Sequence, residues 1–190
     1  MEKHIKGYSF LRGFLGFGFK LVYQIKITGK ENIPVSGPVV VCGNHNHVHD
    51  QFPVILSTKR MIHYMAKKEY FDGKMAWFFR MAGCIPVDRS IKDESAKEEA
   101  ISILEENEVF GIFPEGTCSK NGEVLPFKKG ACRMAYDTDT KIVPFVIKGK
   151  YKLWSRDLQI EFFKPFKVKS KFIVEETKKF REFIVEKKEG

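Results

Sequence analysis

Three of the five histidines of this 190-residue chain lie in one short stretch, GNHNHVHDQF, which covers residues 43–52. His45, His47 and His49 alternate with other residues, and Asp50 follows directly. Imidazole binds metal ions, and it also takes up and releases protons near neutral pH. The stretch therefore indicates either a metal site or a general base that is oriented by a carboxylate.

A metal site would use the alternation of the three histidines. In an extended strand their side chains share one face, and HNHVHD is close to the HxHxDH pattern of metallo-β-lactamase-like hydrolases. That pattern ends in Asp-His, whereas this chain has His-Asp. It also needs further histidines downstream, where only His63 remains, and a catalytic zinc ion usually has three protein ligands and an open position. We therefore expect no metal here, and a metal-dependent hydrolase stays an alternative.

A general base needs one imidazole and one carboxylate close together. His45 and Asp50 lie on either side of a predicted turn, between a strand that ends near Gly43 and a helix that begins near Asp50. The turn can fold the carboxylate back onto one ring nitrogen, which fixes the tautomer and stabilises the imidazolium, while the other nitrogen faces a cleft. No protein nucleophile is needed when the substrate brings its own hydroxyl. We interpret His47 and His49 as turn residues.

A second stretch with chemical potential is FPEGTCSKNG, residues 113–122, directly after a predicted strand. Pro114 and Gly116 predict a tight turn that exposes Glu115 and backbone N–H groups at the carboxyl end of the strand, where α/β domains place their sites. Arginine suits two-pronged phosphate contacts, and lysine acts as a point charge. The basic residues that can surround a phosphate here are Arg89 in GCIPVDRS, Lys120, and Lys128 and Lys129 in PFKKGA. A solvated basic face is the alternative for each lysine.

Strand and helix patterns alternate along the chain and so predict a layered α/β domain without a dividing linker. Apolar runs predict strands over PVVVCGN, MIHYMAK, CIPVD, EVFGIF, KIVPFVIKG and LQIEFFKPF. Helical spacing predicts helices over residues 50–56 and over EYFDGKMAWFFRMAG, KDESAKEEAISILEEN and VEETKKFREFIVEKK. In the third of these helices, one face carries Ala96, Ala100, Ile101 and Leu104.

The N-terminal segment differs from the rest of the chain. IKGYSFLRGFLGFGFKLVYQI, residues 5–25, is rich in Phe, Leu and Gly but is interrupted by Arg12 and Lys20. Its apolar stretch is therefore shorter than the roughly 20 residues that span a bilayer. We interpret it as an amphipathic helix in the membrane interface, with its aromatic side against lipid; a first helix packed on the core is the alternative. The predicted division is a membrane-associating helix in residues 1–28 and a catalytic domain in residues 29–190.

Charge and cysteine usage limit the possible partners. The formal net charge of +9 predicts an anionic partner, such as a phosphate-bearing substrate, an acidic membrane surface or nucleic acid. The sequence has no RNP-type string, helix-turn-helix pattern or basic helix, so we expect no nucleic acid, and a nucleic-acid-binding domain stays a remote alternative. The four cysteines lack CxxC spacing, which is typical of reduced thiols in the cytosol.

Four motifs, taken in order, resemble one family. They are NHxxxxD at residues 44–50, GxxxxDR at 83–89, FPEGT at 113–117 and the proline-bearing strand IVPFVI at 142–147. This order is similar to that of the glycerolipid acyltransferases, in particular their lysophosphatidate acyltransferase branch. The resemblance implies an α/β fold with helices around a mixed, mostly parallel sheet, a hydrophobic groove and membrane association. It also implies transfer of a fatty acyl group, without a cofactor, from acyl-CoA or acyl carrier protein to the sn-2 hydroxyl of lysophosphatidate, giving phosphatidate.

The resemblance also implies roles for individual residues. His45 matches the general base, and Asp50 matches the carboxylate that orients it. The residues matched to acceptor and phosphate binding are Arg89, Glu115, Gly116 and Thr117, to which the basic cluster adds Lys120 and Lys128; Pro144 matches the acyl-donor region. We expect the chain at the cytoplasmic face of the cell membrane, as a peripheral or monotopic protein in contact with anionic lipids.

One departure from the family pattern affects the acceptor. The third block usually continues FPEGTRS, and here Cys118 replaces the arginine. A positive charge is missing where phosphate contact is often placed, although Lys120 can compensate. Another lysophospholipid or hydroxylated acceptor is therefore an alternative. A covalent route through the Cys118 thiol is a further alternative, which needs a thiol of lowered pKa.

Overall fold

The structure, a computed structural model, describes residues 2–91 and 93–190, and only the backbone of residues 2–6. In this described part, eight strands form one sheet in the order β1-β7-β6-β2-β5-β3-β4, with β8 beside β6. The strands are β1 (Lys26–Thr28), β2 (Val39–Gly43), β3 (Ile62–Lys67), β4 (Ile85–Val87), β5 (Val109–Ile112), β6 (Lys141–Lys148), β7 (Gln159–Phe162) and β8 (Phe166–Lys167). Pairing is antiparallel between β6 and both β7 and β8, and parallel elsewhere. The predicted mixed, mostly parallel sheet flanked by helices is confirmed.

Helices cover both faces of the sheet. They are α1 (Glu2–Tyr23), α2 (Gln51–Leu56), α3 (Ala76–Met81), α4 (Glu94–Glu105), α5 (Gly130–Asp137) and α6 (Ile173–Glu189), with 3₁₀ turns at Lys30–Asn32 and Lys68–Phe71. One apolar cluster joins the sheet to α4, α5 and α6. A second cluster joins the opposite face to α1 and α2 through Phe19, Val54 and Leu56.

The central strand β2 is buried along its whole length between β5 and β6. Val40 points into the first cluster, whereas Val39 and Val41 point into the second. Because both faces are covered, the strand needs apolar residues at every position, which explains the continuous run VVVC. At its end, a side chain on Gly43 would collide with the carbonyl oxygen of Phe145. The chain leaves the sheet here, and so the histidine cluster lies at the carboxyl edge.

The predicted helix over residues 69–83 is wrong as a single element. The structure divides this segment into the 3₁₀ turn and α3, with residues 72–75, which begin with Asp72 and Gly73, between them. Asp-Gly favours a turn, because the Asp side chain bonds to the local backbone and Gly adopts turn conformations at little cost. The structure also contains β1 and α5, which the sequence patterns did not predict, and it divides the strand predicted over residues 158–166 between β7 and the start of β8.

Helix α4 agrees with its sequence pattern. Asp93 caps it, since its side chain accepts a hydrogen bond from the backbone N–H of Ala96 at 3.1 Å. Ala96, Ala100 and Leu104 are buried against the sheet, and Ile101 is partly buried at the edge of the same cluster.

Helix α1 has one face on the protein and one face in solvent. Phe19 is buried, and Arg12 donates hydrogen bonds to the carbonyl oxygens of Ile55 and Leu56 at 3.0 and 3.3 Å. The helix ends at Tyr23, and β1 then joins the sheet. No helix among the described residues is both long and apolar enough to cross a membrane. The predicted domain boundary at residue 28 stays a prediction.

Candidate active site

His45 and Asp50 form a hydrogen-bonded pair at the carboxyl edge of the sheet. The Asp50 side chain is fully buried, and its Oδ2 lies 3.0 Å from His45 Nδ1. Because an ionised carboxylate only accepts hydrogen bonds, Nδ1 carries the proton. The backbone N–H groups of Asn46 and His47 donate to the same oxygen at 2.6 and 2.7 Å. The structure thus brings together the two residues that the spacing suggested, and Nε2 of His45 is left as the basic nitrogen.

Glu115 holds the backbone of His45 from the neighbouring loop. His45 N–H donates to Glu115 Oε1 at 2.7 Å, and Leu125 N–H donates to Oε2 at 2.9 Å. The expectation that the turn exposes Glu115 is wrong: the residue is 4% exposed, because its two oxygens satisfy these two N–H groups. Burial raises the pKa of Glu115, and the two N–H groups oppose that shift. Its predicted contact with the acceptor stays a prediction.

Two further contacts fix the position of the His45 ring. The side chain of the buried Asn44 pairs with Ile147 of β6 as a backbone group would: Oδ1 accepts from N–H at 2.8 Å, and Nδ2 donates to the carbonyl oxygen at 3.0 Å. This anchors the residue directly before His45. The imidazole then stacks on Phe113, with ring centroids 4.1 Å apart and an interplanar angle of 16°.

The thiol of Cys118 lies on the other side of the imidazole. Its Sγ is 3.1 Å from His45 Nε2, so the S–H group can donate to the lone pair of that nitrogen. Burial raises the pKa of Cys118, the charges of Asp50 and Glu115 add to the rise, and Arg89 opposes it. The thiol is therefore protonated at neutral pH, and it occupies the place from which a substrate hydroxyl would approach Nε2.

The other residues predicted to bind the acceptor are exposed. They are Arg89, Gly116, Thr117, Lys120 and Lys128, and Lys129 is exposed as well. Gly116 has a φ of +72°, and a Cβ there would lie 2.8 Å from Lys128 Nζ, so the glycine lets the lysine cross the turn closely. The positive charge of Arg89 opposes the rise in the pKa of Cys118 that burial causes. Binding of an acceptor by these residues stays a prediction.

Pro144 lies inside the sheet. It is buried in β6 opposite Cys42 of β2, and its carbonyl oxygen accepts a hydrogen bond from Phe163 N–H at 2.9 Å. Its predicted place in the acyl-donor region stays a prediction.

His47, His49 and His63 make contacts outside the His45–Asp50 pair. His49 N–H donates to His47 Nδ1 at 3.3 Å, and His63 Nδ1 donates to the carbonyl oxygen of Gly83 at 2.8 Å. Among the side chains that the structure describes, those of residues 7–91 and 93–190, His, Cys, Asp and Glu form no group of three or more that could hold a metal ion. A metal-dependent reaction stays an alternative that a chelator can test.

The structure adds two residues that no motif pointed to. Tyr151, in the loop after β6, donates a hydrogen bond from its hydroxyl to Asp50 Oδ1 at 2.6 Å. Lys188, near the end of α6, donates to Asn46 Oδ1 at 2.9 Å and also to the carbonyl oxygen of Gly122. Both are far from the histidine cluster in sequence and have no local pattern, so only the fold reveals them.

The chain is similar in sequence to known acyltransferases. Residues 24–148 match the family model described as Acyltransferase. The 1-acyl-sn-glycerol-3-phosphate acyltransferase of Bacillus subtilis (strain 168) is 34% identical over 144 residues, which are 75% of this chain and 71% of that protein. The protein of the same name from Borreliella burgdorferi is 35% identical over 127 residues, 65% of this chain and 51% of that protein. The chain therefore spans about half the length of some relatives.

A solved structure agrees with the sequence matches. The crystal structure of the 1-acyl-sn-glycerophosphate (LPA) acyltransferase PlsC from Thermotoga maritima aligns with a TM-score of 0.75 and 26% identity, covering 96% of this chain and 77% of that one. The four motifs, which span residues 44–147, all lie in the segment that matches the family model. These findings confirm the resemblance drawn from the motifs: the chain belongs to the acyltransferase family of enzymes.

Proposed function

We propose that this protein transfers a fatty acyl group from an acyl thioester to the sn-2 hydroxyl of lysophosphatidate, giving phosphatidate for phospholipid biosynthesis. The observation that carries the proposal is the pairing of His45 Nδ1 with the buried carboxylate of Asp50, at 3.0 Å, in a chain of the acyltransferase family. The choice of lysophosphatidate as the acceptor is based on relatives named 1-acyl-sn-glycerol-3-phosphate acyltransferase. The donor is acyl-CoA or acyl carrier protein.

In the proposed reaction, His45 acts as the general base. Its Nε2 takes the proton of the acceptor hydroxyl while that oxygen attacks the thioester carbonyl carbon. The tetrahedral intermediate collapses, the carbon–sulfur bond breaks, and the imidazolium returns the proton to the leaving thiolate. Asp50 stabilises the imidazolium between these steps, as a carboxylate does in hydrolytic triads. The acceptor hydroxyl replaces the Cys118 thiol beside Nε2, and the acyl group is transferred in one displacement.

The acceptor's phosphate is proposed to lie among the exposed basic residues. Arg89 offers a planar fork of donors, and Lys120 and Lys128 offer point charges. Gly116 and Thr117 contribute an exposed turn beside them. Because Cys118 carries no charge, binding of the phosphate depends on these residues, and other lysophospholipids or hydroxylated acceptors are the alternative substrates.

The membrane surface is the proposed partner of α1. Four large apolar side chains on this helix are exposed by 54–72%, and they recur every three or four residues, so they form one stripe: Phe10, Phe14, Phe17 and Leu21. Such a stripe suits a helix that lies in the lipid headgroup region. The net charge of +9 favours anionic lipids. We propose peripheral or monotopic attachment at the cytoplasmic face of the cell membrane.

An acyl-transfer assay with purified protein tests the proposal. Labelled acyl-CoA and, separately, acyl carrier protein are supplied with lysophosphatidate, a neutral lysophospholipid or a monoacylglycerol. The variant His45→Ala should lose about 10²–10⁴-fold in kcat, because it lacks the base. The control variant His63→Ala loses a strand histidine outside the pair and should keep its activity. Transfer at a normal rate by folded His45→Ala would refute the role of the base.

Two further arms separate the alternatives. Loss of activity with a chelator, and its recovery on adding metal, would favour a metal-dependent hydrolase. Flotation with anionic liposomes at moderate salt, compared with retention of a single-stranded oligonucleotide, separates membrane binding from nucleic-acid binding. We expect flotation and no retention.

A further inference from the structure

We propose that Tyr151 is a positioning residue for the His45–Asp50 pair, and that α1 holds it in place. The proposal rests on the proposed function only in taking His45 as the base that acts in acyl transfer. Tyr151 lies outside the segment that matches the family model and outside all four motifs.

The contacts of Asp50 show what the tyrosine contributes. Three donors converge on Oδ2: the imidazole of His45 and the backbone N–H groups of Asn46 and His47, at 2.6–3.0 Å. Among the described residues, the one donor to Oδ1 is the Tyr151 hydroxyl, at 2.6 Å. Donors on both oxygens fix the plane of the carboxylate, which aims Oδ2 at the imidazole. A fully buried carboxylate oxygen without a donor would also be costly.

The ring of Tyr151 has aromatic contacts with two parts of the chain. It stacks on His47 with centroids 4.3 Å apart. It also meets Tyr23 and Phe19 of α1 edge-on, at 5.4 and 6.2 Å. The same loop is tied to the end of α1, because Trp154 N–H donates to the carbonyl oxygen of Val22 at 2.7 Å. One side chain therefore connects the helix with the exposed aromatic stripe to the carboxylate of the catalytic pair.

The hydroxyl is a permanent donor across the pH range in which an imidazole titrates. Burial raises the pKa of Tyr151, and the charge of Asp50 and the hydrogen bond to it raise it further. The other titratable groups near it are Tyr23 and Cys118, which also raise its pKa, and the rings of His47 and His49. Because this donor shares the charge of the carboxylate, it moderates the attraction of Asp50 for the imidazolium.

The variant Tyr151→Phe removes the hydroxyl and keeps the ring contacts. We expect kcat for acyl transfer to fall about tenfold, with KM changed less than twofold, because the loss concerns orientation and not binding. The acid limb of the pH profile of kcat should move to higher pH, by about half a unit, because the unshared charge of Asp50 stabilises the imidazolium more strongly. A role in stability alone would lower the melting temperature without moving this limb.

A graded change and a matched control complete the experiment. Incorporation of 3-fluorotyrosine at position 151 keeps the shape and makes the hydroxyl a stronger donor, so the acid limb should move to lower pH. Tyr136→Phe removes a hydroxyl from the surface of α5 and should leave kcat and the pH profile unchanged. An unmoved acid limb in both position-151 variants overturns the proposal. Inactivity of the wild-type protein with every acyl donor and acceptor would instead refute the proposed function.

Discussion

Replacing Asp50 by asparagine tests whether the pair works through charge. The carboxylate accepts hydrogen bonds from His45 and two backbone N–H groups on Oδ2, and from Tyr151 on Oδ1. An asparagine with its oxygen at the Oδ2 position keeps the first three bonds. Its NH₂ group then faces Tyr151, whose hydroxyl can turn and accept. The substitution is thus nearly isosteric, and the buried network can be preserved without the negative charge.

The size of the expected loss in kcat follows from the distance between His45 and Asp50. Two unit charges 3.0 Å apart interact by about 5 kcal/mol at an effective dielectric constant of about 20. This is an upper limit for the loss in the transition state, because the amide oxygen of the introduced asparagine would still accept the hydrogen bond from His45. We therefore expect Asp50→Asn to lower kcat by about 10²–10⁴-fold. KM for the acyl donor should change little, because Asp50 is buried and cannot touch the donor.

The assay measures kcat and KM for acyl transfer beside the thermal unfolding of each variant. Asp139→Asn is a matched control, because it removes a carboxylate that is 84% exposed and paired with Lys167 at the surface; its kcat should equal that of the wild type. A folded Asp50→Asn protein with kcat within threefold of the wild type would show that the charge is not needed. A large loss that coincides with unfolding would instead assign Asp50 a structural role.

Three further predictions concern other parts of the molecule. Cys118→Ala should retain acyl transfer, because the raised pKa of this thiol leaves it protonated and so a poor nucleophile. Intact-mass measurement of the wild-type protein with acyl-CoA but no acceptor should show no acyl adduct. An adduct on Cys118 of the wild type, together with loss of activity in Cys118→Ala, would establish the covalent route. The double variant Phe14→Ser/Phe17→Ser should bind anionic liposomes at least tenfold less strongly in flotation than the wild type, because each phenyl ring buried in lipid contributes about 1.5–3 kcal/mol. The control Val174→Ser, which changes an exposed residue of α6, should float like the wild type. Equal flotation of the wild type and both variants would show that α1 does not lie in the membrane interface. Hydrogen bonds from the backbone N–H of Asp88, the Ser95 hydroxyl and the backbone N–H of Ala96 lower the pKa of Asp93 to about 2, so its ionised form stabilises the fold above pH 4, and this contribution is lost as the pH falls towards 2. In urea unfolding, the free energy of unfolding should therefore decrease less between pH 5 and pH 3 for Asp93→Asn than for the wild type. Equal decreases for the two proteins would contradict the capping role.

The fold was predictable where one pattern dominated. The fully buried β2 reads as VVVC because helices cover both sides of it, and α4 repeats its inward alanines at helical spacing. The sequence patterns were insufficient where tertiary contacts decide. Strand β1, with only three residues, exists because it pairs with β7, which lies far away in the chain. The division of residues 69–83 depends on the turn at Gly73, whose effect outweighs the helical pattern on either side.

In the candidate active site, too, local sequence patterns predicted some residues, and tertiary contacts decided the others. Spacing alone suggested His45 and Asp50, because the turn between them is short and local. The expectation for Glu115 was wrong because a motif shows which residue follows a strand but not which backbone N–H groups lie opposite it. Tyr151 could not be found from sequence, since its hydroxyl meets the carboxylate only after β6 has placed the loop and α1 has packed on its ring. The His45–Asp50 pair, which is local in sequence, thus shares a hydrogen bond with a residue 101 positions away from Asp50. If the pair acts as proposed, variants in α1 should change the pH dependence of kcat as well as membrane binding.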